Sequence, residues 1–188
     1  TLEVIRTLVA GHADVGGRAS ANSVVLAATG RIDVSHRSRN TQPLSFLSVG
    51  AGGLSMQGGS TIRLYAAKAI GEGSSAYDGL GGVLYLGGDV TVAGGATSAV
   101  IEQLTTWSIR GTVDLQGGAR TFNVSDGAAD PDLRVAACIV NGDIVKQGLG
   151  TLELATVAGN PASTYGSLTV GAGRVVVADA ASMPSGAI

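Results

Sequence analysis

Lys146 precedes Gly148 and Gly150 in IVKQGLGTLELA (144–155), and a lysine beside closely spaced glycines has the composition of a phosphate-binding loop. Such a loop needs glycines leading into a Lys-Ser/Thr pair and then a helix, whose amide groups hold the anion. Here the lysine comes first, and TLEL after the glycines alternates as a strand does. Gly148 and Gly150 are therefore predicted to make a corner ahead of a strand.

The other residue sets able to do chemistry read in the same way. Asp114 and Glu153 are carboxylates of the kind that flank a scissile glycosidic bond. Arg134 falls between them in the repeat described below, and a guanidinium there would lower both pKa values where the reaction needs one raised. A charge ladder is predicted instead. Asp126, Asp130 and Asp132 crowd into SDGAADPD (125–132), without the alternating oxygen ligands and closing Glu of an EF-hand and without the nonapeptide calcium-coil pattern. His12 and His36 have no cysteine or carboxylate cluster spaced to share a metal with them, and His36 is expected at a solvent-facing corner. Cys138, in VAACIV, reads as a buried structural thiol. Asn123-Val124-Ser125 matches the glycosylation acceptor pattern, as chance alone allows. Trp107 and Tyr165 are able to stack on sugars but are expected to be packing residues. No catalytic, cofactor-binding or metal-binding residue is assigned, and no cofactor is expected.

The elements that must position these residues are signalled by composition. The chain has 188 residues, of which 45% are hydrophobic, 14% charged and 4% aromatic, with 30 glycines and 4 prolines. Charged residues usually make up about a quarter of a globular domain, so the surface is expected to be rich in Ser, Thr and Gly. Many tight corners and a core of Val, Leu, Ile and Ala point to an all-β fold. A net charge of −2 offers no basic face for nucleic acid. No apolar run approaches the roughly 18 residues of a membrane helix, and no direct membrane insertion is expected.

Apolar-x-apolar triplets recur at Ile32, Leu54, Val90, Val113, Leu133, Leu152 and Val175, spaced 22, 36, 23, 20, 19 and 23 positions apart. The long spacing contains AKAIGEGSSAYDG (67–79), predicted to be an inserted loop. Gly58-Gly59, Gly94-Gly95 and Gly117-Gly118 each begin four residues after the start of their triplet, as corners with positive φ would require. Short strands turned at a period near 22 suit a parallel β-helix, a single segment over residues 1–188 with roughly eight rungs about 4.8 Å apart. Stacking of the triplets would place Asp33, Ser55, Thr91, Asp114, Arg134, Glu153 and Val176 in one outward column.

Residues 144–178 resemble the autotransporter-associated β-strand repeat of bacterial surface-protein passenger regions. Lys146, Gly148, Gly150, Thr151, Leu152 and Leu154 match its Lys followed by G-x-G-T-L-x-L. Asn160 and Thr164-Tyr165 match its corner with PAS inserted, and Leu168, Val170, Gly173, Val175 and Val177 match its strand pair. GTVDLQGGARTFNVSDG (111–127) is similar to the family's preceding rung, whereas residues 1–80 follow only the looser pattern. The resemblance implies a right-handed parallel β-helix (solenoid), exported by a Gram-negative bacterium and displayed at the cell surface or outside it. It also implies a non-catalytic role as stalk, adhesin or matrix component.

Neither TLEVIRTL nor SMPSGAI reads as a polar cap, so the chain is expected to be a piece of a longer solenoid. Its expected partners are neighbouring repeats of the same chain, further copies packed side by side or end to end, and surface glycans. Two rival functions are a polysaccharide-active β-helix enzyme, lyase or glycosidase, and a glycan-binding adhesin using the 67–79 loop.

Overall fold

A computed structural model describes residues 2–15, 18–36, 45–66, 82–104, 111–157 and 162–186. Among the described residues the chain forms thirteen strands, all in one sheet, and a single short 3-10 turn at Ala180–Ser182. The strands are β1 (Leu2–Val15), β2 (Arg18–His36), β3 (Phe46–Gln57), β4 (Thr61–Ala66), β5 (Val83–Leu86), β6 (Val90–Ala93) and β7 (Ala99–Leu104). They continue as β8 (Thr112–Val124), β9 (Leu133–Ala136), β10 (Cys138–Gln147), β11 (Thr151–Ala155), β12 (Leu168–Val170) and β13 (Arg174–Val177). Every pairing between them is parallel. The fold is therefore all-β and built on one large parallel sheet.

The pairings fall into three columns. In the first, the starts of β2, β3, β8 and β10 pair through β5, with Leu47, Leu84, Val113 and Ile139 in register. In the second, the middle of β2, the end of β3, β6, and the ends of β8 and β10 lead to β12, through Leu54, Val90 and Phe122. The third runs from the ends of β1 and β2 through β4, β7, β9 and β11 to β13. The chain visits the columns in that order and then begins again.

Side chains alternate across each strand, and the inward ones stack like on like. Ile32, Ile62, Ile101, Val135 and Leu154 lie in register and are buried, as are Leu26, Met56 and Val92 of the second column. β-branched and leucine side chains fill such a pleated interior without large rings. Among the described residues, Phe122 and Tyr165 are the aromatic residues that join this core.

The register corrects the single predicted column. Leu133, Leu152 and Val175 do align, and Arg134, Glu153 and Val176 with them. Asp114 does not: it lies in the first column, between Tyr85 and Val140. Ser55 and Thr91 pair in the second column, and Asp33 pairs with Arg63 in the third. The physical reason is that a step of about 20 residues is not a constant turn length. Register partners in the third column lie 30, 39 and 34 residues apart before they settle at 19 and 23. In the longer turns, an interval of about 20 carries the chain from one column to another. His36 is likewise a strand residue paired with Ala66 and not a corner. Gly58-Gly59 and Gly94-Gly95 share the corner between the second and third columns, while Gly117-Gly118 lies within β8 at the first corner. The predicted loop at 67–79 lies outside the described residues.

This register predicts a pairwise coupling that sequence spacing alone would misplace. In double-mutant cycles, Arg134→Ala with Glu153→Ala should show about 0.2–1 kcal/mol of coupling, while Arg134→Ala with Asp114→Ala should be additive. Urea denaturation of the four variants of each cycle measures both, and coupling of the second pair alone would reject the register.

Candidate functional site

Three outward faces and three corners hold the polar side chains described below. The third-column face carries the charge ladder. Arg134 Nε lies 2.7 Å from Glu153 Oε1, and Arg63 Nε lies 2.9 Å from Glu102 Oε1 on neighbouring strands. Asp33 pairs with Arg63 across the strands and receives Arg31 Nη2 at 2.9 Å. Asp114, on the first face, accepts from the Gln116 N–H at 2.7 Å and from Asn141 Nδ2 at 2.9 Å. Asp114 and Glu153 therefore share no site, and each carboxylate is engaged by neighbours.

The first-column face carries an aromatic pair that sequence spacing did not single out. The rings of Phe46 and Tyr85 meet edge to face at 5.4 Å between centroids, and the Arg18 guanidinium lies 5.6 Å from the Phe46 centroid. Both contacts join residues on neighbouring turns and become visible only with the register. The second-column face carries one neutral polar row, Ser55, Thr91, Asn123 and Gln147.

Inside the sheet, the corner between the second and third columns is held by a buried lysine. Lys146 takes the inward position of its strand, in register with buried Phe122, and is 0% exposed. Its ammonium donates to the carbonyls of Gln147 and Gly148 at 2.7 Å each and of Ala172 at 3.2 Å. Burial lowers the Lys146 pKa below its ordinary value, and the Asp132 carboxylate works against that shift. Asp132 is itself buried, 2% exposed, and its Oδ2 accepts from the Thr151 N–H at 2.8 Å. Gly148, with φ +77°, makes the turn; a Cβ there would lie 2.3 Å from the Val124 carbonyl oxygen. The glycines beside Lys146 thus form a corner leading into β11, and the lysine they accompany faces the interior.

Arg120 does comparable work at the corner between the first and second columns. Its Nε donates to the carbonyls of Leu86 at 2.7 Å and Leu115 at 3.0 Å. The Thr156 and Asp179 corner is bonded across turns, Thr156 N and Oγ1 each donating to Asp179 at 2.8 Å. Burial would raise the Asp179 pKa, but these bonds and one from Ser182 outweigh it and hold the carboxyl below its usual range.

The remaining sequence candidates are dispersed. Asp130 takes both oxygens to Arg174 Nη2, at 2.5 and 2.6 Å, and Asp132 turns inward, so SDGAADPD does not converge on one point. Among the described residues no group of three or more His, Cys, Asp or Glu is arranged to hold a metal ion. Cys138 is buried, with its thiol 3.6 Å from the Ala162 carbonyl. Tyr165 is 0% exposed and donates its hydroxyl to the Ser182 carbonyl at 2.9 Å, so it offers no face to a sugar. Trp107 lies outside the described residues.

Two substitutions test these interior contacts. Lys146→Met keeps the apolar stem but leaves corner carbonyls without their donor, so chemical denaturation should show a loss of roughly 1–3 kcal/mol; an unchanged midpoint would deny the ammonium a structural role. Burial pushes the Tyr165 phenol from 10.0 up to about 12. The folded chain therefore keeps this proton where the unfolded chain loses it, and stability falls as pH rises through that interval. The stability difference between wild type and Tyr165→Phe should shrink across it, and a flat difference would refute the shift.

No protein-family model, curated protein or solved structure matches this chain.

Proposed function

We propose that this chain is a right-handed parallel β-helix of about seven turns, one for each strand segment of the third column, in place of the roughly eight that the spacing predicts. In this reading it serves as a non-catalytic passenger or stalk segment of a secreted or surface-displayed bacterial protein of the autotransporter type, in adhesion, matrix or filament assembly. The observation that carries the reading is the threefold recurrence of parallel columns, visited in the same order on each turn. Parallel crossovers within one sheet are right-handed in nearly all proteins. A strand spacing of about 4.8 Å makes seven turns a rod of roughly 30 Å.

Such a rod extends and stiffens by adding turns, since each turn contacts only its neighbours. The ladder of the third face fits this role: its charges are matched within the chain, so the face does not repel a second copy. The corner cations also fit it, because they spend their hydrogen bonds on the backbone.

Nuclear Overhauser contacts should join the backbones of Ile62 and Ile101, and of Ile101 and Val135, in the parallel pattern; close Hα–Hα contacts between strands that follow one another in the chain, the mark of antiparallel hairpins, would overturn the coil. Sedimentation at rising concentration should show reversible association; a strict monomer at every concentration would remove lateral or end-to-end assembly from the role. Release of reducing ends from any polysaccharide would replace the structural reading with an enzymatic one.

A further inference from the structure

We infer that the second-column face is a binding site for an extended, uncharged, β-linked glycan, lying along the stack and seated in a notch over Gly53. The notch has a volume of about 380 Å³, within the range of small-ligand sites. Two outward rows meet there: Ser23, Gly53 and Asp89, and beside them Val25, Ser55 and Thr91.

The gap in the first row is imposed by the backbone. The Leu54 N–H donates to the Asp89 carbonyl at 2.8 Å, and a Cβ on Gly53 would lie 2.5 Å from that same oxygen. Gly53 has φ +76° and follows a bulge, where Gly50, Ala51 and Gly52 of β3 stand opposite the single Asn22 of β2. Bulges of this kind re-aim strands beside binding sites. No side chain can fill the position, so the space between the Ser23 hydroxyl and the Asp89 carboxylate stays open to a ligand.

The chemistry of the face selects the ligand. Beyond the notch the row continues through Asn123 and Gln147, one neutral hydrogen-bonding side chain per turn. Turns about 4.8 Å apart advance close to the length of one ring in an extended β-linked chain, so successive sugars meet equivalent donors and acceptors. Arg120 and Lys146, cations of this column among the described residues, direct their side chains to corner carbonyls. Asp89, with Oδ1 already accepting from the Thr121 N–H, would repel uronate or sulfate groups and suits a hydroxyl donor. Val25 and Ala51 offer small apolar surfaces to the ring carbons.

This site is independent of the stalk role proposed above. The test is amide-resolved NMR titration of the chain with cellohexaose and laminarihexaose, with oligogalacturonate as the charged comparison. Shift changes should centre on Val25, Gly53, Ser55 and Thr91 for at least one neutral glycan. Ser55→Ala with Thr91→Ala should weaken binding by about tenfold, two hydrogen bonds having gone. Thr91→Trp fills the notch from an exposed position and should abolish binding while interior amides keep their shifts. No shift change with either neutral glycan, changes scattered over other faces, equal binding of oligogalacturonate, or wild-type affinity in the double-alanine variant would each overturn the assignment.

Discussion

A stack of parallel strands must satisfy the carbonyl groups at its corners, where the chain leaves one column for the next and the ladder of backbone bonds is interrupted. An unpaired buried carbonyl costs about as much as a lost hydrogen bond, and the cost recurs at every turn. Lys146 and Arg120 answer it from inside. Each belongs to the inward alternation of its strand, yet each turns its charged end to two or more corner carbonyls. Burying an ammonium among aliphatic side chains is unfavourable by itself. Three carbonyl acceptors and the nearby Asp132 carboxylate offset that penalty, which is why a lysine can sit where the register would otherwise call for another valine.

The same constraint explains the glycines. Where successive corners stack, backbone lies against backbone: a Cβ on Gly58 would come within 2.8 Å of the Gly95 Cα, and one on Gly127 within 2.5 Å of the Gly95 nitrogen. Corners packed this closely leave no room for side chains, so hydrogen-bonding cations must reach them from the strand positions beside them. The core is correspondingly shallow and aliphatic, and its stability rests on contacts between residues 19 to 39 positions apart in the third column. Such non-local pairing cannot form piecemeal from short hairpins, because among the described residues no two paired strands are antiparallel.

How much of this was legible in the sequence depended on turn length. From residue 133 onward the turns are short, and spacing alone placed Arg134 beside Glu153 and Leu152 beside Val175. The corner at Gly148 was legible too, because Lys146 precedes the glycines and a strand pattern follows them. Earlier turns contain insertions of unequal length, so equal spacing linked Ile32 to Leu54 when the partner of Ile32 is Ile62. Asp114 was misplaced for the same reason. Phe46 with Tyr85, and Arg63 with Glu102, carry no local signal, since each pair is made only by the register. The burial of Lys146 was not read from the sequence, although it follows from alternation with Ile144.

Because the corner carbonyls named above find their donors inside the chain, the three outward faces are free to differ. One holds matched charges, one an aromatic pair under an arginine, and one a neutral polar row with a notch. The inward residues of all three columns share one core, but each outward residue alternates with an inward one and touches mainly its counterparts on adjacent turns, so a change in one outward row leaves that core in place. Binding specificity in such a structure is set by the identity of a row and not by a pocket deep in the interior. The notch over Gly53 is the point where that row is broken, and the break follows from backbone geometry, since the Asp89 carbonyl leaves no space for a Cβ. The constraint that closes the corners is thus the one that opens the site.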